Sequence, residues 1–279
     1  MEGDERLMGA KNYTPRQRYL GGIKRQKAAV LSLQLCGVAA FLLLWEGLCQ
    51  WGVIDAFIFS SPSRIVKIFF TLAQAQLAQH IMITVLETVI GFLLGLGLGF
   101  TVAVLLWFSP FATRVAAPFL VVLNSLPKIA LGPVIIVWAG AGMWAIIVMA
   151  VAISLIVTVL ELSGGFAATD QNLLTTVKSF GASKTQIFAK LVLPYNIPVL
   201  FQSLKVNIGL SLVGVIAGEF LVSKAGLGYL IVYAGQVFRM DLVMMSVIIL
   251  GVISFIMYKL LGLCRALVEK KINHLGNNQ

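Results

Sequence analysis

Long apolar runs dominate the chain, and short polar segments separate them. Six runs stand out, at about residues 28–49, 82–107, 115–139, 143–162, 199–222 and 243–263. A helix crossing a bilayer needs roughly 20 apolar residues, and each run meets that length. The pattern predicts an all-α polytopic membrane protein with six transmembrane helices. The polar connections differ in kind. Residues 1–27 read as a basic, partly disordered tail ahead of a membrane domain over 28–279. Ser61-Pro62 reads as a helix start. Beyond it Arg64, Lys67, Thr71 and Gln74 line one face, and Ile65, Phe69, Leu72 and Ala73 the other, as in a helix lying on the membrane surface or a plain loop helix with no partner of its own. Glu46, near the end of the first span, reads as a snorkelling side chain.

Inside the spans, small and polar residues break the apolar background. Gly91, Gly95 and Gly99 recur every fourth residue, as do Gly214 and Gly218. Such stripes let a neighbouring helix approach closely. Glu87 lies one turn before Gly91, so its carboxylate sits near the outer headgroups or faces a wet interior. Glu219 lies near the far end of the fifth span, where it lines an external mouth or serves a structural hydrogen bond. The third span carries Pro118, Pro127 and Pro133 together with Asn124, Ser125 and Lys128. Interrupted helices at membrane depth line a cavity or are buried in protein. Lys128 there would suit an anionic solute, or it simply reaches an interface. Asn124, Ser125, Lys128, Glu87 and Glu219 are the candidate pathway residues.

The segment over 163–198 is polar yet strongly patterned. Asp170 is placed to cap a helix, along which Leu173, Leu174, Val177 and Phe180 recur at helical spacing. Gly181 fits the left-handed residue that ends it. Ser183 and Gln186 form the pattern of a capping box opening a second helix. Ile187, Phe188, Leu191 and Val192 give that helix one apolar face, and Pro194 and Pro198 stop it. Lys178, Lys184 and Lys190 make lipid the wrong partner for this segment.

This segment resembles the cytoplasmic coupling loop of ATP-binding-cassette importer permeases, whose loose consensus runs Glu-Ala-Ala, Gly, Ile-x-Leu-Pro. Gly181, Leu191 and the Leu193-Pro194 pair hold the last positions at the family spacing, while Thr175, Thr176 and Val177 replace Glu-Ala-Ala. The strings SLPKIALGPVIIVWAGAG (125–142) and AGEFLVSKAGLGYLI (217–231) also resemble family segments. These features resemble most the permeases for nitrate, sulfonate or taurine and related thiamine-precursor systems. The resemblance implies that Thr175, Thr176, Val177, Gly181, Ala182, Ser183, Gln186, Leu191, Leu193 and Pro194 contact a separate ATPase. It further implies two ATPase subunits carrying ATP and Mg, a second permease copy, an external solute-binding protein and a bacterial inner-membrane location. The cargo would be a small, anionic or sulfonate-like solute.

Composition agrees with a membrane protein. Of 279 residues, 59% are hydrophobic and 11% charged, and the mean hydropathy is +0.95. The net charge of +10 raises the possibility of nucleic acid. Its distribution points elsewhere. With six spans and the N-terminus inside, 16 of the 21 basic residues fall on the inner side, and Arg64, Lys67, Lys224 and Arg239 fall outside. That bias places both termini and the 163–198 segment in the cytoplasm. Cys36, Cys49 and Cys264 are scattered, without metal or disulfide spacing. The chain has no GxxxxGK[ST], HExxH or GxSxG motif. A passive channel would need no patterned loop at 170–198. A membrane-embedded enzyme using Glu87, Glu161 or Glu219 with Lys128 lacks any catalytic spacing.

Overall fold

The computed structural model describes residues 15–71 and 74–276, and every element among them is a helix or turn. Packing divides the chain into two units, Met1–Arg64 and Ile65–Gln279.

In the first unit, α1 runs from Pro15 to Gln50. The expected tail is therefore helical from Pro15 onward, while residues 1–14 lie outside the described residues. Glu46 has hydrogen-bond partners within this unit. It takes the Ser63 backbone N–H at 3.0 Å and the Ser63 hydroxyl at 2.9 Å, close to the start of α2 (Pro62–Thr71). A carboxylate at a helix N-terminus satisfies donors that the helix cannot pair internally. Along α2, Ile65 and Ile68 are buried, whereas Phe69, expected on the apolar face, is exposed. Leu72 and Ala73 lie outside the described residues.

The second unit is built on α3 (Gln74–Phe108), α6 (Met143–Ala167) and α10 (Ile197–Val222). The small-residue stripes explain why α6 is the middle helix. A Cβ added at Gly91, or one at Gly214, would come within 2.6 Å of Ala150, on its Cβ and its Cα respectively. Added at Gly99 it would meet Thr158 at 2.6 Å, and at Gly218 it would meet Ile146 Cα at 3.0 Å. Both stripes thus face α6, where Ala150 is fully buried. Without a hydrophobic drive between helices in lipid, this closeness is what dispersion packing requires.

Between α3 and α6 the chain forms α4 (Pro110–Ser125), a 3-10 turn (Lys128–Leu131) and α5 (Gly132–Ala139). The two arms meet at 86°. Pro118 lies inside α4 without ending it, Pro127 marks the break, and Pro133 sits in the first turn of α5. After α6 come α7 (Gln171–Ser179), α8 (Lys184–Ile187), a π turn (Phe188–Val192) and the short α9 (Leu193–Tyr195). After α10 come α11 (Leu227–Gln236) and α12 (Met240–Gly276). Among the described residues five helices are long and apolar enough to cross a membrane, or six if the bent pair is counted as one span.

Candidate functional site

The segment between α6 and α10 is a helical hairpin fixed by local chemistry. The Asp170 side chain accepts the Asn172 N–H at 2.8 Å and caps α7. Gly181 turns the chain at φ +79°. Ser183 and Gln186 form both halves of a capping box, with bonds of 2.9 and 3.3 Å. Pro194 does not stop the second helix. It sits in the first turn of α9, after the π turn, and the chain breaks only at Asn196. Pro198 lies in the first turn of α10 rather than ending what precedes it.

One face of the hairpin rests on the bundle. Ile187, Phe188 and Val192 are buried with Ala103 of α3 and Leu162 and Phe166 of α6. Val177, Ala182, Leu191 and Leu193 pack against that cluster while half-buried. Phe188 is the centre of an aromatic group. Its ring lies 5.1 Å from Trp107, 5.6 Å from Phe108 and 5.4 Å from Phe166, edge-on to the last. Offset and edge-on aromatic pairs add to ordinary burial. The base of the hairpin is stapled. Buried Asn196 donates from Nδ2 to Thr169 Oγ1 and to the Val192 carbonyl, both at 2.9 Å.

The other face is exposed. Thr175, Thr176, Gly181, Ser183, Gln186 and Pro194 are exposed. Thr175 and Thr176 turn their hydroxyls back to the carbonyls of Gln171 and Asn172, at 2.8 Å each. They thus present methyl groups, not the charge that a glutamate would carry. Phe180, at the tip, is 85% exposed.

The pathway candidates fall into two groups. Asn124, Ser125 and Lys128 meet at the 86° bend. Lys128 Nζ donates to the Asn124 carbonyl at 2.9 Å and to its side chain at 3.4 Å, and the Ser125 hydroxyl donates to the Val121 carbonyl. Glu87 and Glu219 form the second group, inside the bundle. Glu87 is 2% exposed and Glu219 1% exposed, so neither reaches headgroups or an open mouth. Thr84 donates its hydroxyl to Glu219 Oε1 at 2.7 Å. The N-terminus of α11 closes over this group. Its Gly226 N–H goes to His80 Nδ1 at 2.9 Å, Leu227 N–H to Thr84 Oγ1 at 2.8 Å, and Gly228 N–H to Glu219 Oε2. Gly226, at φ +112°, leaves no room for a Cβ against Glu219.

Several members of these sites carry no sequence signal of their own. Thr84 and His80 look like ordinary polar residues near a span end, and Asn196 follows a proline that suggested only a stop. Trp107 lies beyond any local pattern that would pair it with Phe188. The π turn is likewise silent in the pattern, although such turns recur at functional sites.

A bundle built on α3, α6 and α10, a bent helix pair and a stapled hairpin between α6 and α10 make up the second unit. Residues 91–274 match the family model described as the binding-protein-dependent transport system inner membrane component. The chain belongs to that family. It is 33% identical, over 79% of its length and 90% of the relative's, to a probable ABC transporter permease protein of Haemophilus influenzae. It is 26% identical, over 84% of each chain, to a putative aliphatic sulfonates transport permease, SsuC, of Bacillus subtilis. Other relatives are named for formylaminopyrimidine, riboflavin and taurine transport. Among solved structures, an inward-facing MetNI methionine ABC transporter chain shares the fold at TM-score 0.65 and 17% identity. That match covers 70% of this chain and 97% of the other. The protein is a membrane-embedded permease subunit of an ATP-binding-cassette importer, a non-catalytic component of that system.

Proposed function

We propose that residues 170–194 are the docking element for the ATPase and that the bent span lines the route of a small anionic solute. The observation that carries the first part is the two-sided hairpin. One side is anchored through Phe188 to α3 and α6, while the other exposes Phe180 and the Thr175–Thr176 pair. A body fixed to the bundle at one face and bound to a moving subunit at the other transmits displacement. ATP and Mg then belong to two ATPase subunits, whose closure pulls on the hairpin and biases the bundle between two states. A second copy of this chain completes the pathway, and an external binding protein delivers the solute. Both termini lie in the cytoplasm, as the basic bias supports.

The solute class rests on Lys128. Its ammonium is held at the bend by Asn124 beside Ser125, which supports recognition of a sulfonate-like or other small anion. The sulfonate-named relative supports the same class.

The test is co-purification with the ATPase and measurement of transport-coupled ATP hydrolysis, wild type against Gly181→Asp. At φ +79° a side chain is strained, and an added charge at the hairpin tip opposes docking. The variant is expected to insert but to lose ATPase binding or stimulation. Unchanged binding and hydrolysis would remove the docking role.

A further inference from the structure

The lysines within the apolar helices differ in what they meet. Lys128 has its acceptors at the bend. Lys205 of α10 and Lys259 of α12 have none. Among the described residues neither makes a hydrogen bond or an ion pair, and each ammonium stands over a ring instead. Lys205 Nζ lies 4.9 Å from the centre of the Tyr258 ring, which belongs to α12, and Lys259 Nζ lies 5.4 Å from that of Phe255. The negative face of a ring attracts a cation, more strongly where water is scarce. That attraction steers the ammonium but leaves its three N–H donors to be satisfied elsewhere. The Tyr258 hydroxyl likewise has no acceptor among the described residues. Neither helix brings an acid close along its own length. In α10 the only acidic residue, Glu219, is 14 positions from Lys205, and in α12 Asp241 and Glu269 are 17 and 11 positions from Tyr258.

Depth decides what could supply the anion. The span Ile197–Val222 has 26 residues, so it is about 39 Å long against about 30 Å of hydrocarbon. Lys205 lies eight positions along it, or about 12 Å from its start. For a centred helix its backbone is then about 7 Å inside the hydrocarbon edge, and the lysine stem carries the ammonium to the headgroup boundary. The same reckoning on the span Met240–Val268, of 29 residues, puts Tyr258 about 8 Å inside that edge. Two helices thus bring a cation and a phenol to one level. Gln202, one turn nearer the start of α10, is exposed there too. The surface beside them is apolar: Val206, Ile256, Leu260 and Leu263 are all exposed. A charged side chain at this depth is costly unless it is paired.

We propose that Lys205 and Tyr258 form a binding site for the phosphate of an anionic phospholipid, whose acyl chains lie along the exposed apolar side of α12. The phosphate oxygens accept from the ammonium and the phenol together, and such charge-assisted bonds are the strong ones. The Gln202 amide and the Lys259 ammonium, on either side in sequence, add donors at the same level. Basic positions between spans at a membrane surface are the arrangement that selects anionic headgroups. The site rests on neither the 170–194 hairpin nor Lys128.

Native mass spectrometry of the full-length chain, titrated with phosphatidylglycerol or with zwitterionic phosphatidylcholine, tests this. The wild type should hold phosphatidylglycerol at one preferred site and phosphatidylcholine more weakly, because the choline cation offsets the phosphate charge. Lys205→Gln should weaken the preferred site about fivefold, the usual electrostatic effect of one lysine near an anionic surface. Lys205→Arg should keep it, since a guanidinium both stacks on a ring and pairs with phosphate. Tyr258→Leu removes the ring and the hydroxyl but leaves an apolar side chain on an exposed surface, and it should weaken the site as well. Inorganic phosphate, which has no acyl chains, should not displace the lipid. Equal binding of the two lipids, or phosphatidylglycerol binding that both Lys205→Gln and Tyr258→Leu leave unchanged, overturns the proposal. Displacement by inorganic phosphate, or loss of solute transport in Lys205→Gln with lipid binding intact, would assign Lys205 to a soluble anion and overturn it too.

Discussion

Gly214→Ala and Gly209→Ala make a matched pair on one helix. Both glycines lie within α10, where alanine is favoured over glycine by about 1 kcal/mol in a helix interior. They differ in what a methyl group would meet. At Gly209 nothing lies within 4 Å. At Gly214 the new Cβ would stand 2.6 Å from Ala150 Cα, 3.0 Å from Ala150 N and 3.2 Å from the Met149 carbonyl. These are backbone atoms of the buried α6, so no rotamer change relieves them. Forcing an extra carbon into a well-packed core costs about 1–3 kcal/mol. Gly209→Ala should therefore raise stability by up to about 1 kcal/mol. Gly214→Ala should lie about 1–3 kcal/mol below it, net destabilised by up to about 2 kcal/mol. The assay is unfolding of the purified permease in nanodiscs, followed by tryptophan fluorescence. Two variants that are stabilised equally would refute the close approach of α10 to α6.

Substitutions at three further sites probe the hairpin. Phe188→Ala removes the ring shared by Trp107, Phe108 and Phe166, at a cost of about 3–5 kcal/mol for a buried phenylalanine. It should lower ATPase stimulation more than membrane insertion, as measured by hydrolysis in proteoliposomes. Asn196→Ala leaves the Thr169 hydroxyl without its side-chain donor and removes one of two donors to the Val192 carbonyl, at about 1–3 kcal/mol. Hydrogen exchange over residues 169–196 should accelerate while α3 and α6 stay protected. Gly181→Asn should cost less than Gly181→Val, because Asn tolerates the left-handed region and nothing crowds the Cβ. Equal thermal shifts for the two would show that the turn relaxes.

What the sequence makes legible is what local rules encode. Apolar length marks the spans, and Asp170, Gly181, Ser183 and Gln186 each announce a cap or turn through their own chemistry. The glycine stripes name the faces that pack, though not the partner, since Gly91 and Gly214 both meet Ala150 only once the chain is folded. The Pro-rich span reads correctly as interrupted, yet three prolines offer three breaks, and only Pro127 lies at the one that forms. Glu46 illustrates the limit. A carboxylate near a span end reads as snorkelling, and its pairing with Ser63 depends on a connection that returns beside it. Thr84 and His80 reach Glu219 and Gly226 across 135 and 146 positions of sequence, beyond any periodic pattern. Glu219 and the Gly-Leu-Gly turn are visible as a string, but Thr84 and His80 enter only through tertiary contact.

The central claim is that the exposed tip of the 170–194 hairpin touches an ATPase. The direct measurement is a single cysteine at position 180, in a chain with Cys36, Cys49 and Cys264 replaced, cross-linked in membranes that contain the co-expressed ATPase. The account expects a covalent permease–ATPase adduct whose yield changes when ATP is added. Absence of that adduct, while the same cysteine reacts freely with a small maleimide, would contradict it.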